Sequence, residues 1–464
     1  MKTFVRRIAL PIPAAEAFAW HEREGALQRL SPPWDRVRVL EKHGTIRDGD
    51  RVVLTVAGTF GTQIEHVHRD YIPGRSFRDE QVRGLFARFS HTHEVIPVDA
   101  HSCAMEDRIE YELPLGAIGR VFGGGMVERR LDRMFRYRHE TLRRDLVRHA
   151  RVRDQRRLRV AITGASGVIG RPLAAFLSTG GHEVLHLVRR APRAGEVAWD
   201  PARGTIETKA LDGVDAIVHL AGENVGVRWT PERKERIVRS RVDGTRLVAE
   251  ACAQIGATLV SASAIGIYGI ETRHAVDEAS PLGDDFLADV CKQWEAAAEP
   301  ARSAGIRVVN LRIGVVLSPT GGALAELLPV FRKGLGGPVG DGTQVMSWVS
   351  LDDALGAIHG ALFDESSGPI NVVAPNAVTN AELAKTLGRV LGRPAVLRVP
   401  ATAVKLAFGE MGELVALGGQ HVLPKRLVAA GYEFVDPDLE PWLRHVLGRS
   451  PQRMLPSQNV HRSR

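Results

Sequence analysis

Cysteine is scarce in this sequence, with Cys103, Cys252 and Cys291 the only three among 464 residues. An odd and scattered set builds neither a disulfide framework nor a CxxC metal pair, so a reducing cytoplasm is the expected compartment. No run of about 18 apolar residues occurs, which excludes a membrane-spanning helix. Lys2, Arg6 and Arg7 precede a short apolar stretch, but Pro11 and Pro13 break it and Glu16 sits inside the would-be cleavage site. No signal peptide is therefore expected. Internal repeats, low-complexity tracts and a GxSxG nucleophile motif are also missing. Charge is unevenly spread. The net charge is +8, and residues 120–157 alone hold thirteen arginines against five acidic residues, so the rest of the chain is balanced. A generally basic surface for nucleic acid is not expected; the arginine-rich segment is expected to meet a neighbouring domain or water, with nucleic acid the last-ranked alternative for it.

What is present is ordinary for a folded globular chain, 44% hydrophobic and 25% charged. Short strand-like runs at Asp50–Ala57, Phe86–Val98 and Ala104–Glu112 lead to one long amphipathic helix over Gly123–Arg148. Val127, Leu131, Met134, Phe135, Leu142 and Leu146 recur on one of its faces. A sheet followed by one long helix predicts an α+β domain over residues 1–150. An Arg-rich linker, 151–157, follows. Apolar strands at Val160–Thr163, Glu183–Val188, Asp215–Leu220, Thr258–Ser263 and Arg307–Leu311 then alternate with helical segments. That rhythm predicts an α/β fold with a parallel, Rossmann-like sheet over 158–400. A small module is expected at 401–450 and a flexible tail at 451–464. Thr379 and Glu382 have capping-box spacing at the head of a helix reaching Leu391.

The sharpest motif is Val160-Ala-Ile-Thr-Gly164-Ala-Ser-Gly167-Val-Ile-Gly170, between a buried strand and a helix starting near Arg171. Gly164 permits the tight turn, Gly167 lets the backbone approach a pyrophosphate, and Gly170 lets helix pack on strand. The helix N-terminus then faces the phosphates. Candidate cofactor residues are Gly164, Ser166, Gly167, Val168, Ile169 and Gly170, with Leu220, Ala221, Gly222 and Ser261 after later strands. The second strand ends on Arg189 and Arg190, not on an acid. A guanidinium cannot accept from a ribose 2′-hydroxyl but pairs well with a 2′-phosphate, so NADP(H) is favoured over NAD(H).

The Thr-Gly-x-x-Gly-x-x-Gly pattern resembles that of extended short-chain dehydrogenase/reductases. More specific are Trp199-Asp-Pro-Ala-Arg-Gly204, His219-Leu-Ala-Gly-Glu223, Trp229…Lys234…Ser240-Arg241…Thr245, Ser261-Ala-Ser-Ala-Ile-Gly-Ile-Tyr268-Gly269, Trp294-Glu295 and Ser347-Trp348-Val-Ser-Leu-Asp352-Asp353. Together they resemble an atypical epimerase-like family, often described as nucleoside-diphosphate-sugar epimerase or oxidoreductase, over about residues 158–449. Gly418-Gly-Gln-His-Val-Leu-Pro424 through Gly431-Tyr-Glu-Phe resembles a small terminal module of that family. Residues 1–150 resemble a helix-grip domain of the START and polyketide-cyclase (SRPBCC) type, through Leu30-Ser-Pro-Pro-Trp34, Phe77-Arg-Asp-Glu-Gln81, His91-Thr-His93 and Ile109-Glu-Tyr111-Glu-Leu-Pro114. That resemblance implies an apolar ligand beneath the long helix.

One departure from the pattern matters. Short-chain dehydrogenases use Tyr-x-x-x-Lys, the lysine lowering the tyrosine pKa. Four residues beyond Tyr71, Tyr111, Tyr137, Tyr268 and Tyr432 stand Arg75, Leu115, Thr141, Thr272 and Asp436, so the pair is absent. Leu287 and Cys291 occupy the place where the family pattern would put it. The remaining catalytic candidates are Ser263, at the end of the fifth strand, and Tyr268. Glu223, Lys234 and Arg312 are candidate substrate contacts, Arg312 toward an anionic group. In the first domain, His91 and His93 alternate onto one strand face. With no carboxylate cluster evident in sequence they read as polar cavity lining, and no metal is expected. Trp20 and Trp34 are candidates for closing the cavity or for core. The expected function is that of an NADP-dependent oxidoreductase or epimerase acting on a small molecule, with an appended apolar-ligand domain. A non-catalytic NADP(H)-bound regulatory or sensor protein is the alternative that the missing Tyr–Lys pair raises.

Overall fold

The computed structural model describes residues 1–57, 61–114, 116–270 and 274–450; the expected tail at 451–464 lies outside them. The first part of the chain forms seven strands, β1 (Lys2–Leu10), β2 (Val37–His43), β3 (Arg51–Val56), β4 (Gln63–Ile72), β5 (Ser76–Arg83), β6 (Arg88–Pro97) and β7 (Cys103–Glu112). They pair antiparallel in the order β1-β7-β6-β5-β4-β3-β2. Two short helices, α1 (Ala14–Glu22) and α2 (Ala26–Leu30), follow β1, and α3 (Gly116–Ala150) follows β7. The stretch carrying Lys2, Arg6 and Arg7 is thus a structural strand, in register from Lys2 opposite Tyr111 to Leu10 opposite Cys103. Strands β4 and β5 were not legible in sequence. Their residues are mostly polar, because much of this sheet's concave face lines a cavity and is not packed shut.

Helix α3 begins seven residues before the predicted start and places Leu131, Phe135, Leu142 and Leu146 in the core. Phe135 packs with Ile109 and Tyr111 of β7, and Leu142 with Trp20, Phe18 and Phe77. Trp20 is fully buried in that core. Trp34 stacks edge-on against Tyr137 and lies under Arg133, so neither tryptophan closes the cavity.

The second sheet holds β8 (Arg159–Thr163), β9 (Glu183–Val188), β10 (Glu196–Asp200), β11 (Thr205–Ile206), β12 (Ala216–His219), β13 (Thr258–Ala264), β14 (Val308–Ile313) and β15 (Gly368–Val372). Their order is β11-β10-β9-β8-β12-β13-β14-β15, parallel except for the edge strand β11. The chain starts at β8, moves outward through β9 and β10, then returns to the other side of β8 at β12. A ligand crevice opens at such a reversal, beyond the carboxyl ends of β8 and β12. Helices α4 (Gly170–Thr179), α5 (Pro231–Ile255) and α6 (Phe286–Ala296) connect these strands. Buried aliphatic residues on both faces, such as Val160, Ile162, Val260 and Leu311 on one and Ala161, Ile217 and Leu259 on the other, explain their continuously apolar sequence. The capping box at Thr379 and Glu382 forms as predicted, at the head of the Asn380–Leu391 helix.

The arginines of α3 meet the second half of the chain. Arg148 donates to Asp353 at 2.8 Å and to the Tyr432 hydroxyl at 2.9 Å. Arg144 reaches Asp436 at 3.1 Å, and Arg133 caps the carbonyl of Leu447 at 3.0 Å. Arg29 of α2 forks onto Asp145 of α3 and also reaches Asp352 at 3.0 Å. The local positive charge is thus matched by the acidic pair of the Asp352-Asp353 motif.

Beside these pairs, His149 at the end of α3 packs near His359 and both lie against Phe176, while His182 faces His359. Burial pushes His182 down to about 4 and His359 to about 3, reinforced by neighbouring arginines, and holds His149 well below the ordinary histidine value. A histidine depressed in the folded state stabilises fully above its unfolded value near 6.5 and loses that stability as pH falls toward the folded value. His182 and His359 each cost roughly 2 kcal/mol at pH 5, and His149 acts in the same direction. The thermal midpoint should therefore drop between pH 7 and pH 5, and His359→Gln should reduce that drop. An unchanged acid slope in the variant would contradict the assignment.

Candidate functional site

The turn after β8 shows why glycine is required at three places. Gly164 has φ +66°, and a Cβ there would lie 2.9 Å from the Leu220 carbonyl carbon. A Cβ at Gly170 would lie 2.2 Å from the Gly164 oxygen, and one at Gly167 3.1 Å from the same atom. The Gly167 N–H closes the turn on the Gly164 carbonyl at 2.9 Å. Ser166, Gly167 and Val168 are exposed at its tip, with Ile169 half-buried behind them. Helix α4 starts with no side-chain cap; the Arg171 N–H donates to the Gly167 carbonyl at 3.2 Å and Pro172 has no N–H, so an anion meets the N–H groups just ahead of them.

Thr163 at the end of β8 fixes the facing loop. Its hydroxyl lies 2.8 Å from His219 Nδ1 and accepts from the backbone N–H groups of Leu220 and Ala221 at 3.0 and 3.2 Å. Burial pushes His219 down to about 4, which keeps its ring neutral. Leu220, Ala221 and Gly222 are thereby held beside Gly164, while Ser261 is buried in β13. The role of Thr163 and His219 has no signature in sequence, because it depends on β8 lying next to β12 in register, Thr163 opposite His219.

At the end of β9, Arg190 forks onto Glu196, with one bond at 2.7 Å. Arg189 is exposed and forms no ion pair among the described residues.

The catalytic candidates sit deeper. Ser263 donates to Glu295 of α6 at 2.7 Å. Glu295 also accepts both arms of Arg312, at 2.8 and 2.9 Å. Arg312 in turn donates to the Tyr268 hydroxyl at 2.9 Å, and Tyr268 donates to Asn371 Oδ1 at 2.7 Å. Burial pushes the Tyr268 phenol up, with Arg312 and Asn371 opposing. A guanidinium, not a lysine, therefore touches this tyrosine, and it does not lower the phenol below its ordinary pKa. Asn371, from β15, was missed because nothing near it in sequence marks it.

The three expected substrate contacts are placed differently than the sequence implied. Arg312 is 4% exposed and committed to Glu295 and Tyr268, since β14 is flanked by β13 and β15 and its end is covered by α6. Lys234 pairs with Glu410 at 2.5 Å and covers the Phe286 ring. Glu223 pairs with Arg233 at 2.5 Å. Arg241, passed over in sequence, lies behind the same loop. It donates to the carbonyls of Glu223 and Ile237 at 3.1 and 3.2 Å, lies over Trp294, and has no carboxylate partner among the described residues.

The first sheet and α3 enclose a cavity of about 490 Å³. Ile46, Ile64, Ile109, Leu131 and Met134 supply apolar walls, and His91 and His93 are part of its lining.

Comparison with known proteins agrees with this geometry. The model of the NAD dependent epimerase/dehydratase family matches residues 160–373, and a domain of unknown function, DUF1731, matches 399–446. The polyketide cyclase/dehydrase and lipid transport model matches residues 10–135. Epimerase family protein Mb2239 of Mycobacterium bovis is 44% identical over 279 residues, 59% of this chain and 93% of the relative. The chain belongs to the epimerase family. This epimerase-family protein is also similar, at 34% identity and TM-score 0.79, to a nucleoside-diphosphate sugar epimerase from Corynebacterium glutamicum, with 96% of this chain and 90% of that one covered. Human epimerase family protein SDR39U1, solved with NADPH, is 36% identical, with a TM-score of 0.58 over 62% of this chain and 99% of that one. The epimerase-family fold carries the NAD(P)-binding, Rossmann-like sheet, and the antiparallel sheet is the polyketide-cyclase-like addition. No helix among the described residues is long and apolar enough to cross a membrane.

Proposed function

We propose that this chain is an NADP(H)-dependent oxidoreductase or epimerase acting on a small molecule, with residues 1–150 forming an apolar-ligand-binding domain. The limits adopted are a linker at 151–157, a cofactor domain at 158–400 and a family module at 401–450. The observation that carries the cofactor half is the glycine turn, where a Cβ at any of the three glycines would meet neighbouring backbone, so that β8 passes into α4 tightly enough for backbone to approach a pyrophosphate. Human SDR39U1, with NADPH in its structure, supports the phosphorylated form. When bound, the cofactor supplies or accepts a hydride.

The chain's own residues divide the remaining work. Arg189, with no carboxylate partner among the described residues, meets the 2′-phosphate, while Arg190 with Glu196 stiffens the strand end. Arg189→Ala should weaken NADPH binding about tenfold or more and leave NADH binding nearly unchanged, because a charged hydrogen bond contributes about 1.5–3 kcal/mol. Equal losses for both cofactors in a fluorescence titration would refute the assignment. Ser263 presents its hydroxyl beside the substrate oxygen, oriented by Glu295, and Tyr268 holds that network from below. Arg241 takes the role first given to Arg312, receiving an anionic substrate group, and Glu223 and Lys234 border the entrance.

Loss of NADPH absorbance with a panel of carbonyl metabolites tests the enzymatic reading, and turnover should vanish in Ser263→Ala. The sensor reading is favoured by one observation: both hydrogen-bonding positions of the Tyr268 hydroxyl are already filled and its phenol is pushed up. Tight NADPH binding with no turnover of any carbonyl would establish it. Mass spectrometry of the purified protein should find NADP(H) together with a second, hydrophobic compound.

A further inference from the structure

The cavity of the first domain contains a group of side chains that neither an apolar carrier nor the cofactor site requires. Asp79, His91 and His93 each aim one donor atom at a common point, and these atoms lie within 4.8 Å of one another. Asp79 Oδ2 is 3.2 Å from His93 Nε2 and 3.6 Å from His91 Nδ1. Bond lengths of about 2.0–2.2 Å to a shared ion put neighbouring ligands about 3–3.5 Å apart, so both distances from Asp79 already fit to within a few tenths of an ångström.

Behind the ring of His91, Nε2 is hydrogen-bonded to Asp107 Oδ1 at 2.9 Å, and His93 Nδ1 lies 2.8 Å from the same oxygen without hydrogen-bond geometry. His139 of α3 braces the second oxygen of Asp107 at 2.6 Å, and His68 lies 2.8 Å from Asp79 Oδ1. The carboxylate behind His91 sets which of its nitrogens points at an ion, the usual arrangement around metal-ligating histidines.

Sequence did not show this because the carboxylates come from other strands. Register places Asp79 of β5 opposite His91, and Asp107 of β7 opposite His93. We propose that Asp79, His91 and His93 bind one divalent first-row transition ion, such as Zn²⁺ or Fe²⁺, in the cavity wall. Two imidazoles and one carboxylate suit these ions, and only three protein ligands leave coordination open toward the cavity. The open side faces apolar walls, so the fitting ligand is an amphipathic molecule with an oxygen donor at its head. This site is independent of the cofactor half of the chain.

The test uses tag-free, full-length protein, treated with chelator and titrated with Zn²⁺, and with Co²⁺ as a spectroscopic probe. One ion per chain is expected, with Co²⁺ absorption characteristic of nitrogen and oxygen ligands. Asp79→Asn and His93→Gln should each weaken binding tenfold or more, and Asp107→Asn should weaken it about 10–100-fold. Unchanged NADPH binding and circular dichroism confirm that the variants are folded. Failure of the wild-type chain to retain either ion through gel filtration would overturn the proposal, as would equal retention by the folded variants. Should a variant not fold, the wild-type titration and its Co²⁺ spectrum still decide.

Discussion

Gly170→Ala should remove most of the NADPH affinity of this protein while leaving the first domain unaffected. The added methyl would stand 2.2 Å from the Gly164 oxygen and 2.8 Å from its carbonyl carbon. Both are backbone atoms of the turn, so relief requires α4 to move away from β8 or the turn to open. Overpacking of this kind costs about 1–3 kcal/mol. Taken from the bound geometry, that is about five- to 150-fold in affinity. Gly164→Ala adds conformational strain to the same clash, because φ is +66° and the Leu220–Ala221 backbone blocks the Cβ. Gly125→Ala is the matched control. It sits exposed on α3, with only the end of Arg129 within 3.5 Å, and should stabilise the helix by about 0.5–1 kcal/mol. NADPH titration by fluorescence checks all three. Wild-type affinity in Gly170→Ala would mean that the turn does not carry the cofactor.

The second large effect concerns the joint between α3 and the second half of the chain. Asp353 is 1% exposed and receives Arg148 at 2.8 Å together with the backbone N–H groups of Val435 and Asp436, each at 2.9 Å. Ser350 caps the helix that begins there by accepting from the Asp353 N–H. Removing one partner of a buried ion pair strands the other charge, at a cost of about 3–5 kcal/mol. Arg148→Ala and Asp353→Ala should each lower stability by that amount in chemical unfolding. Gly356→Ala should act in the same direction, since its methyl would fall 1.0 Å from Arg148 Nη1 and expel the guanidinium. The exposed pair Lys405–Glu413 offers the contrast, because a solvated bridge contributes about 0–1 kcal/mol. If Arg148→Ala were as mild as Lys405→Ala, the joint would not depend on this contact.

The cofactor turn was legible because its chemistry is local. Gly164, Gly167 and Gly170 lie within one turn, and the strand and helix on either side have their own periodic signals. The long helix was legible for the same reason, its apolar stripe repeating every three to four residues. Strands β4 and β5 were not, since His66, His68 and Asp79 face the otherwise apolar cavity and break the alternation that marks a half-buried strand. Arg312 was misplaced for a related reason. Its position after an apolar strand suggested a reachable cation, but Glu295 from α6 and Tyr268 from the preceding crossover close over it.

The sequence by itself determined the two kinds of sheet, the glycine turn with its arginine-ended second strand, and the absence of a Tyr-x-x-x-Lys pair, all properties of residues close together along the chain. Tertiary structure alone decided which charges neutralise one another. It set Arg144 and Arg148 against Asp436 and Asp353, tied Ser263 to Arg312 through Glu295, and brought Asp79 and Asp107 to His91 and His93. Those partners are fixed by strand register and helix docking across long sequence separations, and Coulombic pairing depends on distance in space, not on distance along the chain.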